Sequence, residues 1–198
     1  MEKLLVATNN RGKMREFAEI LAHPDIDLLS LADLGLTLEV HETGQTFAYN
    51  ARLKAFAFAR ASGLVTIGDD SGLEVDALGG APGLYSARYA GPGASDADRR
   101  AKLMHALRHT PAPRVARFRC ALAVARPTGE VMVFEGTCEG EIILEERGAN
   151  GFGYDPIFYL PAYRCTMAEL PPEVKNQISH RARAAQAARP YLLTLLKI

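Results

Sequence analysis

Hydrophobic and polar positions along the chain follow two periods, and the period changes partway through. The short apolar run "KLLVA" predicts a first strand, leading through "TNNRGK" into a helix. In that helix Met14, Phe17, Ala18 and Leu21 fall at helical spacing and form an apolar stripe. A second helix is predicted over residues 46–62, "TFAYNARLKAFAFARAS", with Phe47, Ala51 and Ala55 on its buried face. Residues 64–68 read as a strand that delivers the adjacent Asp69 and Asp70 to its end. "GLEVDAL" reads as another strand, ahead of the Gly/Pro-rich "GGAPGLYSARYAGPG". Ser95, with Asp98 three residues on, marks the start of a helix that ends before Pro111.

From there the period is two. Phe118, Cys120, Leu122 and Val124 share one face of "ARFRCALAVAR", and "PTGE" is a turn signal. "VMVFEGTCEG" and "EIILEER" predict further strands, a β-meander lobe inserted over residues 115–147. The Gly-rich loop "GANGFGYDP" follows, and a last helix starts near Ser179. Helices and strands that alternate early, then strands in succession, predict one α/β domain over residues 1–198 with a mixed sheet.

At 198 residues, 48% hydrophobic and 23% charged, the chain can bury a core without staples. Formal net charge is zero, which argues against a nucleic-acid polymer or a membrane surface as partner, since counterion release needs a basic excess. A local basic pocket stays compatible with that balance. Cys120, Cys138 and Cys165 are too few and too scattered for a disulfide framework, which predicts reduced thiols and a cytoplasmic protein. The apolar run in "MEKLLVATNN" is too short for a signal peptide or a membrane span.

Four segments carry candidate chemistry. "VATNNRGK" has the strand–loop–helix grammar of an anion site, where backbone N–H groups, the helix dipole and Lys13 all favour negative charge. It lacks P-loop spacing, and an ordinary βα turn accounts for the same residues. Glu42 stands before the second helix, on which Asn50 and Lys54 share a face; by itself Lys54 reads equally as a solvated charge. Asp69 and Asp70 suit Mg²⁺, which takes one or two carboxylates plus phosphate oxygens and water, although "DDSG" is also good turn chemistry. No His/Cys cluster at ligand spacing suggests zinc, and no cysteine has a histidine near it in sequence. Lastly, "KNQISHRARA" puts His180, Arg181 and Arg183 in the first turn of a helix, where the dipole disfavours cations. An acceptor-rich ligand would explain them, as would carboxylates on the surface.

Taken together, "ATNNRGK", "ETGQTFAYNARLKA", "DDSGLEVDALGGAPGLYSARYAG", "GFGYDPIF" and "SHRARA" resemble, in content and order, the inosine/xanthosine triphosphate pyrophosphatase family. The resemblance spans nearly the whole chain. It departs at His41, where many members carry a second acid, and at Pro190, which is expected to interrupt the last helix. It implies an elongated mixed β-sheet with flanking helices, two lobes around a central cleft, and a homodimer. It also implies Mg²⁺-dependent hydrolysis of ITP, dITP and XTP to monophosphate and pyrophosphate, which cleans the nucleotide pool. By the same resemblance Thr8, Asn9, Asn10, Arg11, Gly12 and Lys13 hold the triphosphate, helped by Lys54. Glu42 and Asp70 ligate Mg²⁺, Asp70 accepts a proton with Asp69 close by, and Ser71 touches substrate. Phe152, Gly153, Tyr154, Asp155, Lys175, His180 and Arg181 enclose base and sugar. A nucleotide pyrophosphatase of different base selectivity and a non-catalytic nucleotide-binding regulator are the alternatives.

Overall fold

Strand β1 (Glu2–Val6) lies parallel to β2 (Ile26–Ser30), with Leu4 opposite Leu28. On its other side it lies parallel to β3 (Val65–Val75), with Leu4 opposite Val65. The sheet continues through β4 (Val115–Ala125), β5 (Val131–Ile142), β6 (Phe158–Leu160) and β7 (Cys165–Thr166). The seven strands run in the order β2-β1-β3-β4-β5-β6-β7. The β5–β6 and β6–β7 pairs are antiparallel, so the sheet is mixed, in agreement with the sequence pattern. The helices are α1 (Arg11–Ile20), α2 (Phe47–Ser62), α3 (Asp96–Ala106), α4 (Pro172–Ile178) and α5 (His180–Leu196). The structure is a computed structural model describing residues 1–198. No helix is long and apolar enough to cross a membrane.

Three predicted features differ. Strand β3 does not end at the aspartates but runs through them to Val75, so "GLEVDAL" is not a strand of its own. Pairing with β1 stops at Ile67, whereas β4, the neighbour on the other side, matches β3 at 11 residues and lets it continue. Strand β5 absorbs Glu141 and Ile142, and "EIILEER" forms no separate strand. Its remaining backbone turns instead to the loop after it, Ile143 N–H bonding the Ile157 carbonyl and Arg147 N–H that of Pro156. Pro190 does not interrupt α5, which runs to Leu196; the ring sits on the exposed side, away from the packed face.

The chain groups into two compact units. The first comprises Met1–Asp70, Cys120–Gly136 and His180–Ile198; the second, Ser71–Arg119 and Thr137–Ser179. In the first, Leu4, Val6, Ile67, Leu122 and Val124 meet Phe17 and Leu21 of α1 and Ala184, Ala188 and Leu192 of α5. Ala51, Ala55 and Ala59 of α2 pack on Ala121, Ala123 and Ala125 of β4. Successive residues of a strand point to opposite faces, so α2 covers one face of β4 and α1 with α5 the other. In the second unit Leu73, Leu103, Leu107, Phe118, Ile142 and Phe158 form the core, the Phe118 and Phe158 rings 4.5 Å apart.

Small residues set how closely α5 and α2 approach the sheet. A Cβ on Gly136 of β5 would lie 2.1 Å from the His180 carbonyl oxygen and 2.5 Å from Ala184 N. On Gly68 of β3 it would lie 2.9 Å from Ala55 N. Where the backbone tolerates it, Gly→Ala stabilises a protein by about 0.4–1 kcal/mol. At Gly136 the obstructing atoms are helix backbone, so overpacking prevails: Gly136→Ala is expected to destabilise by about 1–3 kcal/mol in urea unfolding. An unchanged midpoint would mean that α5 does not sit on β5 as described.

Candidate active site

Helix α1 starts where β1 ends, and the loop between them is built from its own side chains. The Thr8 hydroxyl accepts from Asn10 N–H at 3.1 Å, and the Asn10 side chain caps α1 by accepting from Lys13 N–H at 3.0 Å. The cap leaves the N–H groups at Arg11 and Gly12 in the first turn, where the dipole favours an anion. The segment Thr8–Arg11, with Arg15 and Ser30, walls a cavity of about 400 Å³. Lys13 reaches Asp69, Nζ to Oδ2 at 2.9 Å.

The aspartate pair lies in mid-strand, Asp69 1% and Asp70 8% exposed, and α2 supplies its partners. Lys54 donates to the Asp69 carbonyl at 2.9 Å and forms an ion pair with Glu42. One turn earlier, Asn50 uses both ends of its amide. Its oxygen accepts from Gly44 N–H at 2.8 Å, and its nitrogen donates to Asp70 Oδ2 at 3.0 Å. Asn50 thus ties the loop carrying Glu42 to Asp70. From α5, Arg181, 2% exposed, pairs with Glu16 of α1 and reaches Asp69 Oδ2 at 3.4 Å.

The two carboxylates are electrostatic opposites. Burial alone would raise the Asp69 pKa, but the charges of Lys13, Arg181 and Lys54 hold it well below the usual range. Asp70 is raised, chiefly by burial; the Asn50 hydrogen bond opposes this, and the negative charge of Glu42 adds to it. Asp69 is a pinned anion, and Asp70 has gained affinity for a proton. No group of three or more His, Cys, Asp or Glu side chains gathers here to enclose a metal. The nearby Cys120 thiol is pushed up to about 12, by burial first and then by Asp69, so it supplies no thiolate nucleophile at neutral pH.

In the second unit lies the other half of the predicted set. The Asp155 carboxylate accepts from Phe152 N–H at 2.9 Å and pairs with Lys175 at 2.5 Å, both charged groups being buried. The Lys175 ammonium stands 5.0 Å from the centre of the Phe152 ring. An aromatic face beside a buried donor–acceptor pair is suited to a flat, polar-edged ligand. Tyr154 is occupied otherwise, its hydroxyl donating to the Ser86 carbonyl at 2.9 Å. Ser71 follows Asp70 directly on β3.

Lys13, Glu42, Lys54, Asp69, Asp70 and Arg181 therefore come together in the first unit, and Phe152, Asp155 and Lys175 in the second. Two members escape a reading of the sequence. Glu16 looks like any polar position on an amphipathic helix, and only its buried pairing with Arg181 sets it apart. The spacing of Asn50 and Lys54 signalled a shared face but gave no sign that Asn50 would orient Asp70.

The model of the Ham1 family matches residues 4–191. A dITP/XTP pyrophosphatase of Desulforamulus reducens is 50% identical over 191 residues, which cover 96% of this chain and 95% of the relative. One of Geobacillus kaustophilus is 54% identical over 185 residues, covering 93% and 91%. Among solved structures, a HAM1 protein from Coxiella burnetii superposes with a TM-score of 0.87 at 40% identity, covering 98% of this chain and 100% of the other. The Ham1 protein of Staphylococcus aureus gives 0.86 at 45% identity over 98% and 100%.

Proposed function

The chain belongs to the Ham1 family, and on that premise we propose that it hydrolyses deaminated purine nucleoside triphosphates (ITP, dITP and XTP) to the monophosphate and pyrophosphate, clearing them from the nucleotide pool. The observation that carries this reading is the asymmetry of the aspartate pair. In a cluster rich in cations, the side chain of Asp70 is held by a neutral amide, while Asp69 takes the ion pairs. A purely binding module has no use for that division.

The segment Thr8–Lys13 and Lys54 would bind the triphosphate, with backbone N–H groups of α1 and two ammonium groups facing its charge. Mg²⁺ fits Glu42 and Asp70: two carboxylates whose like charge is felt at Asp70, with no nitrogen or sulfur ligand and with coordination left for phosphate oxygens and water. Bound there, the ion would neutralise phosphate charge and stabilise the pyrophosphate leaving group. Asp70 takes the proton of the attacking water, Asn50 fixes the carboxylate, and Asp69 stays ionised to hold Lys13 and Arg181. Ser71 contacts substrate beside Asp70. Phe152, Gly153, Tyr154, Asp155 and Lys175 receive the base. The enzyme acts as a cytoplasmic homodimer, a location suited by three cysteines that form no disulfide.

Water attacking the α-phosphorus places its oxygen on the monophosphate. Turnover of ITP with Mg²⁺ in ¹⁸O-water is therefore expected to give labelled IMP and unlabelled pyrophosphate, read by mass spectrometry. Label in pyrophosphate, or orthophosphate as the first product, would overturn this mechanism.

A further inference from the structure

The start of α3 grips one residue of the loop that carries Phe152. Asp96 accepts from the Gly153 N–H through Oδ2 at 2.8 Å. One turn on, Arg100 donates from Nη1 to the Gly153 carbonyl at 2.9 Å. Residues four apart on a helix share a face, so both groups approach Gly153 from one side and take its donor and its acceptor. Each is braced in turn. Arg100 pairs with Glu146, its Nη2 donating to Oε2 at 2.9 Å. Asp96 pairs with Arg99, which also donates to the carbonyls of Ala87 and Ala94 at 2.9 and 2.7 Å. Helix α3 is anchored by a capping box between Ser95 and Asp98. Gly153 has φ +64°, a left-handed backbone that glycine adopts readily and that two side-chain hydrogen bonds hold in place.

On either side of Gly153 stand the groups given to the base: Phe152 with its ring, and Asp155 with its bond to Lys175. Asp96 and Arg100 meet the segment at Gly153, between them. We infer that Asp96 and Arg100 are positioning residues for base recognition, fixing the backbone on both sides of Gly153 and with it the offset between the Phe152 ring and the Asp155–Lys175 pair. The inference rests on the reading of Phe152–Asp155 as the base-binding segment. A loop that must present a ring and a carboxylate at once gains selectivity from being fixed before the ligand arrives.

The test compares ITP, ATP and methyl triphosphate, the last of which has a triphosphate but no base. Asp96→Ala and Arg100→Met are expected to raise KM for ITP by about tenfold or more, the scale of a lost hydrogen bond to a charged group, and to leave kcat within a few-fold. The ITP-to-ATP preference narrows, while kcat/KM for methyl triphosphate stays at the wild-type value. Asp96→Asn retains an oxygen that accepts from Gly153 but loses the Arg99 ion pair, so it is expected to behave like wild type. If Asp96→Asn fails as Asp96→Ala does, or if methyl triphosphate suffers equally, the residues serve the fold and the inference is overturned. Lys175→Met separates the two readings. Should it abolish base preference while Asp96→Ala and Arg100→Met do nothing, only the clamp is wrong; should none of the three change it, the base-binding segment itself is misassigned.

Discussion

An Asp70→Asn protein is expected to fold normally and to turn over roughly 10²–10⁴ times more slowly than wild type. The amide keeps the shape of the side chain and still offers an oxygen to Asn50, but it loses the charge a metal needs and the basicity a water needs. Stability is spared because the Asp70 carboxylate is strained by burial and by Glu42, which the raised pKa records. Asp69→Asn should do the reverse in stability. It takes the counter-ion from Lys13 and leaves Arg181 its pair with Glu16, in a site where Asp69 is 1% exposed, and breaking a buried pair costs about 3–5 kcal/mol. Single-turnover rates and urea midpoints on the two variants separate general base from pinned anion. Turnover by Asp70→Asn within a few-fold of wild type would remove Asp70 from the catalytic role.

Base selectivity should be nearly as large an effect. ITP and XTP are expected to have kcat/KM values roughly 10²–10⁴ above that of ATP, because a purine C6 carbonyl accepts where the adenine amino group donates. Lys175 is the buried charged donor beside the Phe152 ring, held by Asp155 at 2.5 Å with its ammonium over that ring. An adenine amino group facing it leaves two donors opposed in a buried place. Guanine shares the C6 carbonyl, so its rejection must come from the C2 amino group, which hypoxanthine and xanthine lack. GTP is accordingly expected to be a poor substrate for a different reason from ATP. Lys175→Met should lower kcat/KM for ITP and narrow the gap to ATP. Arg181→Ala should instead slow every base, because its guanidinium holds Asp69. Equal turnover of ITP, GTP and ATP by the wild-type enzyme would refute this pocket and leave the phosphate chemistry standing.

What the sequence makes legible is local. The helix spacing of Asn50 and Lys54 and the Ser95–Asp98 box each involve residues about a turn apart, and each appears as read. The aspartate pair is visible as a charge anomaly after an apolar run. Its place in mid-strand is not, because that depends on β4 extending past the end of β1. Strand β2, "IDLLS", has no clean alternation, and β6 and β7, three and two residues long, are too short to show a period. Glu16 and Asp96 are invisible for another reason: their partners lie 165 and 57 residues away, and no local pattern encodes those pairings.

Helix α5 packs its alanines against β1, β3 and α1, and it carries the arginine that pins Asp69. During synthesis, Leu4 and Val6 leave the ribosome long before the residues that cover them. At about 5–20 residues per second the interval to Leu192 is roughly 10–40 s. Through that time the face of β1 and β3 that α5 shares with α1 is only partly covered, and Asp69 and Glu16 lack the guanidinium that joins them. The first unit's pinned anion is therefore completed last, when residues 180–196 dock.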